Sequence, residues 1–451
     1  MLLACASTPA FAQERASDEL RLLRTLLASE RARVEALEQE LRDRRDAIEA
    51  LAARVEAAAR VAGVAPVAEV ASAPTAPPAG ATSAEPPRFD FYGETLVRLA
   101  TLHQGSCSGC PDRTIGRFRV RFGAEGRLAP GLRAVFGVST GELNDPNSVY
   151  QTFGGSLGRK ATTFDRGYLV YAPRRAPWVE LSAGKFPYPW VRSSMTFDVD
   201  FFPEGASERV SVNLSRAGAL RQLSAQALQV VVNEQAAGAD MLLLGGQSTA
   251  TVRFGPRLTT RAVGTFFNVT QPDLILRTQL DGTNVGVRNT NALLGTAGGG
   301  SRYLSAFRYV NVIAENTVST SWVSMPVTAT IELHRNVKAA TDRDTAVSLR
   351  IDGGRLQRPR DWGFGWHVFH VEQDAIVSAL GESDWRAPSN VLQHRFAFSF
   401  VAQAHLRTHV TWYRGRTLDT ALPGALRVPS ADPGSRDPWA NRLYFDVQYL
   451  F

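Results

Sequence analysis

Two cysteines three residues apart, Cys107 and Cys110 in the run SCSGC, are the first residues whose type and spacing invite chemistry. Structural zinc needs about four ligands, and no second cysteine pair or suitably spaced histidine pair accompanies them. In an oxidising compartment a local disulfide is the favoured reading, with two unpaired thiols as the alternative. The seven histidines offer little. His367 and His370 stand three apart on a segment that reads as strand, hence on opposite faces. His405 and His409 share a face but lie about 13 Å apart along it, too far to chelate one ion. No nucleophile elbow, P-loop or paired-carboxylate motif has a persuasive context, so no catalytic residue, metal or cofactor is expected and the chain is not read as an enzyme.

Charge says more. The formal net charge is +7 over 451 residues. Lysine occurs only at Lys160, Lys185 and Lys338, so the cations are almost all arginine. A basic balance suits nucleic acid, an anionic membrane surface or an anionic solute. The elements that carry the arginines decide among these.

From Arg88 to Phe451 the apolar residues recur with period two. Phe118, Val120 and Phe122 alternate with Arg117, Arg119 and Arg121. Val327, Ala329, Ile331 and Leu333 alternate with polar neighbours, as do Phe396, Phe398 and Phe400, and Leu406, Thr408, Val410 and Trp412. Such dyads mark strands with one apolar and one polar face. A soluble sandwich alternates too, but rarely over so long a segment. The expected fold is therefore an all-β transmembrane antiparallel β-barrel, apolar face to lipid and polar face to a wet lumen. At about 20 to 23 residues per strand and connection the segment holds 16 strands, with 18 as the alternative. Short turns are expected at Ala129-Pro130-Gly131 and Arg174-Arg175-Ala176-Pro177. Long polar stretches at 142–161, 188–206, 281–300 and 417–438 read as outer or inward-folded loops.

The segment before the barrel has a different rhythm. Leu20, Leu27, Val34, Leu41, Ile48, Val55 and Ala62 occupy position a of a heptad repeat, and Leu23, Leu37, Leu51 and Ala58 occupy d. Glu30 and Arg44 interrupt the d seam. A 3.5-residue period over about six heptads specifies a left-handed coiled coil, here expected to trimerise through Leu20, Leu27, Val34, Leu41, Ile48 and Val55. Residues 1–12 read as the end of a signal peptide with Ala10-Phe11-Ala12 as the cleavage site, a lipidated Cys5 being the alternative. The domain division is thus signal remnant 1–12, periplasmic coiled coil 13–62, Ala/Pro-rich linker 63–87 and barrel 88–451.

The last strand, Leu443 to Phe451, presents Leu443, Phe445, Val447, Tyr449 and Phe451 on one face and ends on a phenylalanine. It resembles the C-terminal signal of outer-membrane proteins, in which Tyr449 and Phe451 would be read by the barrel-assembly machinery. The runs Asp145–Ser148, Phe164–Tyr171, Ala183–Phe186 and Asp198–Gly205 resemble the family usually called putative porins, and the chain is also similar to the phosphate-selective porins. The resemblance implies a trimeric channel with a helical N-terminal extension.

Alternation then assigns the lumen. Arg98, Arg117, Arg119, Arg121, Arg253, Arg350, Arg395 and Arg407 fall on the polar face as pore-lining candidates. Arg117, Arg119 and Arg121 form a column with ~7 Å between neighbours, a path for an anion. The competing reading pairs them with lumenal acids such as Glu94, Glu332 and Asp352, or with lipopolysaccharide phosphates at the rim. Asp198, Asp200 and Glu204 lie in a long loop after an early strand, which either folds inward to narrow the pore or stays outside. Two function classes follow. One is a passive outer-membrane channel for small hydrophilic solutes with a mild anion preference. The other is a tether whose stalk contacts the peptidoglycan. The expected partners are two further copies of the chain, outer-membrane lipid and lipopolysaccharide, with no nucleic acid.

Overall fold

The computed structural model describes Gln39, Arg42 and residues 89–103, 112–214, 218–280, 289–295, 300–319, 325–426 and 432–451. The heptad positions Leu20 to Val55, Cys5, Cys107 and Cys110 lie outside the described residues. Of the segment 13–62 only Gln39 and Arg42 are described, both helical and exposed, with the Arg42 guanidinium donating to Gln39 Oε1. Every described strand belongs to the second of two compact units, Ala84–Phe451.

Alternation becomes sheet as expected. The strands are β1 (Phe89–His103), β2 (Arg113–Ala129), β3 (Leu132–Thr140), β4 (Thr162–Tyr171), β5 (Val179–Lys185) and β6 (Glu204–Asn213). Then come β7 (Leu220–Asn233), β8 (Met241–Phe254), β9 (Leu258–Val269), β10 (Phe307–Val318) and β11 (Val327–Asn336). The series ends with β12 (Thr345–Gly354), β13 (Trp362–Val371), β14 (Val391–Gln403), β15 (Leu406–Thr417) and β16 (Ala440–Leu450). Each pairs antiparallel with the next, and β16 returns to pair with β1, so the sheet closes. Sixteen full-length strands make the ring; the two-residue piece Gln151–Thr152 only extends the edge beside β2. Closure leaves no exposed edge, the condition for backbone to cross lipid as strands. No helix among the described residues is long and apolar enough to cross a membrane, which says nothing about crossing by strands.

The faces are inverted relative to a soluble sandwich. Leu99, Phe122, Phe136, Ile331, Leu333, Phe364, Phe398, Trp412 and Phe445 are exposed on the outside. Arg98, Gln247, Asn311, Glu332, Ser348, Gln393 and Asp446 are buried inside. A polar inside and an apolar outside is what a membrane and an aqueous lumen require together.

One half of the lumen has an apolar core. Inward-facing Leu228, Val230, Met241, Leu243, Phe267 and Tyr309 pack with Trp190 and Phe197 of the 186–203 connection. The same cluster takes in Leu274–Leu276 of a short helix, α1 (Asp273–Leu280), and Val377–Leu380 of the 372–390 connection. Three long connections therefore fold into the barrel. Register sets where the ring closes. Closure pairs β16 with Glu94–His103, and Phe89 and Phe91 run on to pair with β2 alone. The strands of a closed barrel are staggered, so the end of the last strand need not meet the start of the first.

Candidate solute pathway through the barrel

The wall formed by β1, β2 and β16 carries the arginine column, and register decides its fate. Arg98 faces Asp446 and Arg117, Leu96 faces Arg119, and Glu94 faces Arg121. Arg98 makes a two-point pair with Asp446 at 2.8 and 3.0 Å and is held between the rings of Tyr150 and Tyr444, each 4.2 Å away. Arg119 pairs with Glu94 at 2.7 Å and donates to the Tyr150 hydroxyl at 2.9 Å. Arg121 reaches Asp200 at 2.9 Å, Glu94 at 3.6 Å and Asp165 at 3.7 Å. The uninterrupted anion path is thus corrected: two of its three members are neutralised by lumenal acids. Only Arg117 of the column has no carboxylate within 4 Å among the described residues. It lines a cavity of about 350 Å³ with Arg113, Arg442, Asp145, Glu382 and Asp384.

The connection between β5 and β6 bends inward, and two of its acids behave differently. Asp200 meets the wall at Arg121. Asp198 is fully buried. Its Oδ1 accepts from the Asp200 N–H and its Oδ2 from the Ser383 N–H, each at 2.8 Å, while its own N–H donates to the Leu380 carbonyl at 2.8 Å. Burial, then the neighbouring Asp200, pushes its carboxyl from the ordinary 3.8 up to about 7. Burial also holds the Glu382 carboxyl well above the usual range, with Asp198, Asp384 and Asp200 around it. Glu204 stands where the β5–β6 connection ends, as the first residue of β6, and pairs with Lys185 of β5 at 2.7 Å. Both line a cavity of about 370 Å³ with Asp165, Asp200 and Leu380.

The partner loop, 372–390, went unrecognised in the sequence. Ala375, Ile376, Ala379, Trp385 and Ala387 are buried, and Trp385 packs on Phe369 of β13 at 4.5 Å between ring centroids. Asp374, also fully buried, accepts from Ala292 N–H and Ser305 Oγ. The apolar run Ala375–Ile376–Val377, three polar residues after strand β13, was the available signal.

The larger opening lies between the inward loop and β6–β12. A cavity of about 680 Å³ is lined by Arg192, Arg209, Arg261 and Arg350, with Gln222, Gln226 and Gln247, and by no carboxylate. Gln247 pins the loop to the wall, accepting from Val191 N–H and donating to Val191 O and Thr265 Oγ1. Arg395 sits on the adjoining wall, 3.4 Å from His367 Nδ1, whose other nitrogen meets Asp352 at 2.7 Å. Arg253 and Arg407 are placed elsewhere than expected. Arg253 folds onto the carbonyls of its own turn, Gly255 and Pro256, and Arg407 donates to Leu356 in the β12–β13 turn, both at the short-turn rim. Strand alternation gives a side chain's face but not its height. Among the described residues no group of three His, Cys, Asp or Glu could hold a metal ion.

Solved structures with a similar course include OprB of Pseudomonas putida at 10% identity, covering 80% of this chain and 94% of that one with a TM-score of 0.49. The anion-selective porin of Comamonas acidovorans is 10% identical, covers 81% and 100%, and has a TM-score of 0.46. OmpF of Salmonella typhi, solved with daunomycin, is 10% identical, covers 80% and 97%, and has a TM-score of 0.45. No curated protein sequence matches the chain. The chain closes into a sixteen-strand, porin-like β-barrel, and its residues 93–271 match the family model described as "Putative porin".

Proposed function

We propose that the barrel is a passive channel for small hydrophilic solutes with a mild anion preference. The observation that carries this reading is the 680 Å³ lumenal cavity, bounded by four arginines and no carboxylate, inside a closed ring with a polar inner wall. Guanidinium groups on a low-dielectric wall raise the local concentration of anions. The acids of the inward loops oppose them on the β1–β2 side, which keeps the preference mild. The working unit in this reading is a homotrimer in outer-membrane lipid and lipopolysaccharide. It is supported by a periplasmic coiled coil through Leu20, Leu27, Val34, Leu41, Ile48 and Val55, and carries a Cys107–Cys110 disulfide. Insertion by the barrel-assembly machinery through Tyr449 and Phe451 belongs to the same proposal.

Single-channel recording in planar bilayers with a salt gradient tests it. Open channels whose reversal potentials indicate a modest anion preference are expected, and the preference should weaken at high salt as wall charges are screened. Well-folded protein without conductance would favour a tether in which the stalk contacts peptidoglycan.

A further inference from the structure

The 680 Å³ cavity has a composition that an indifferent aqueous passage does not need. Of its four guanidinium groups, Arg261 is partly committed to Glu315 at 2.7 Å, and Arg192 donates to the Phe197 carbonyl and lies over the Tyr188 ring. Arg209 and Arg350 have no carboxylate within 4 Å among the described residues. The Nε atoms of Arg261 and Arg350 and the indole Nε1 of Trp190 are buried without a hydrogen-bond partner.

The neighbouring strands supply the opposite polarity. Register aligns Arg209 with Gln226 and Gln226 with Gln247, and aligns Ser224 with Thr249. Gln226 directs one amide N–H to Ser207 Oγ, and Gln222 directs its amide N–H groups to Ser211 Oγ and Asn213 Oδ1. Their amide oxygens are left to accept, and the Ser224 and Thr249 hydroxyls beside them both accept and donate. The cavity thus presents cationic donors beside neutral acceptors. A bare inorganic anion or acetate would use only the first set. A neutral sugar would use only the second and leave the guanidinium groups unpaired.

We infer that this cavity is a subsite for a small hydroxylated carboxylate. Arg209 and Arg350 take the carboxylate charge, and Gln222, Gln226, Ser224 and Thr249 receive its hydroxyls. This rests on the channel reading and names the solute class that the same passage favours. A subsite in a conducting pore must be weak enough to release its solute, so occupancy in the millimolar range is expected.

The test uses the purified full chain in planar bilayers, with sodium gluconate, acetate, phosphate and glucose added separately to potassium chloride. Gluconate should reduce the chloride current at roughly tenfold lower concentration than acetate or phosphate, and glucose should have no effect. Arg209→Ala with Arg350→Ala should abolish the gluconate effect. Arg209→Lys with Arg350→Lys should keep the anion preference but raise the half-blocking concentration severalfold, because an ammonium cannot grip a carboxylate with a planar fork. Heat-modifiable mobility checks that each variant folds. Gluconate acting no better than acetate, phosphate matching gluconate, or an unchanged block in the alanine pair would each overturn the inference while leaving the channel intact. If no variant conducts, the channel reading fails instead, and the subsite is then read from Trp190 fluorescence. A gluconate-dependent change in wild type that Trp190→Phe removes would uphold it, and no change would end it.

Discussion

The terminal residue Phe451 closes the barrel on Gly93. The Gly93 N–H donates to the Phe451 carbonyl at 2.8 Å, and the Phe451 N–H returns a bond to the Gly93 carbonyl at 3.0 Å. The Phe451 ring occupies the space a side chain at 93 would fill, and a Cβ there would also come within 2.7 Å of the Arg121 carbonyl. Aromatic cover of a strand glycine of this kind fixes register at a seam. Gly93→Val should therefore lower the folded fraction about as much as deletion of Phe451, although valine is the better strand former. Heat-modifiable mobility of outer-membrane fractions measures it, and a normal yield of Gly93→Val would show that the ring does not need that space.

The pairing of the arginine column separates its members. Arg119 and Arg121 already have carboxylate partners, and Arg117 has none within 4 Å among the described residues. Arg117→Ala should shift the reversal potential toward cations more than Arg119→Ala does. Asp200→Asn should strengthen the anion preference by releasing Arg121. Equal shifts for Arg117 and Arg119 would mean that ion pairing on this wall does not govern the field in the pore.

Asp198 makes the loop junction pH-dependent. Its carboxyl titrates near 7 when buried at the junction and at the ordinary 3.8 when freed. A value raised in the closed state means that its contribution is complete below about pH 4, declines as pH rises, and is lost by about 7. Glu382 acts in the same direction. Channel noise from loop motion should be greater at pH 8 than at pH 4, and Asp198→Asn should shrink that difference. Identical traces at the two pH values would count against the junction.

Trp385 tests the second loop. Truncating a buried tryptophan costs ~3–5 kcal/mol where the site cannot collapse. The loss falls on loop 372–390, while the ladder of β13 and β14 keeps its hydrogen bonds. Trp385→Ala should raise single-channel conductance without changing strand content by circular dichroism. Unchanged conductance would show that this loop does not set the width.

The stalk is tested by Leu41→Asp with Ile48→Asp. Two charges at adjacent a positions should abolish a three-stranded seam, read as lost helical signal and loss of trimers in detergent. An intact trimeric stalk would mean the heptad frame is misassigned.

The barrel was legible because each strand meets two different solvents, so Phe396, Phe398 and Trp412 on one side and Arg395 and Thr411 on the other write the fold into adjacent residues. The inner narrowing was less so, because it is made by contacts between distant segments. Asp198 is satisfied by Ser383, 185 residues away, and no local pattern announces that bond. Glu204 marks the boundary of that narrowing, because a strand's first residue looks like the loop it leaves. The pairing of Arg119 and Arg121 depends on register, which fixes whether Glu94 stands opposite one or between both. Alternation alone leaves that open.

The bond between Asp198 and Ser383 also has a timetable in it. Its two loops hang from the β5–β6 and β13–β14 connections, on well-separated parts of the ring, and joining them closes a long loop whose entropy cost is recovered only once the sheet holds both ends. The ring is therefore expected to close before its interior fills. Newly inserted molecules should be leakier than mature ones for as long as that last crossing takes to form.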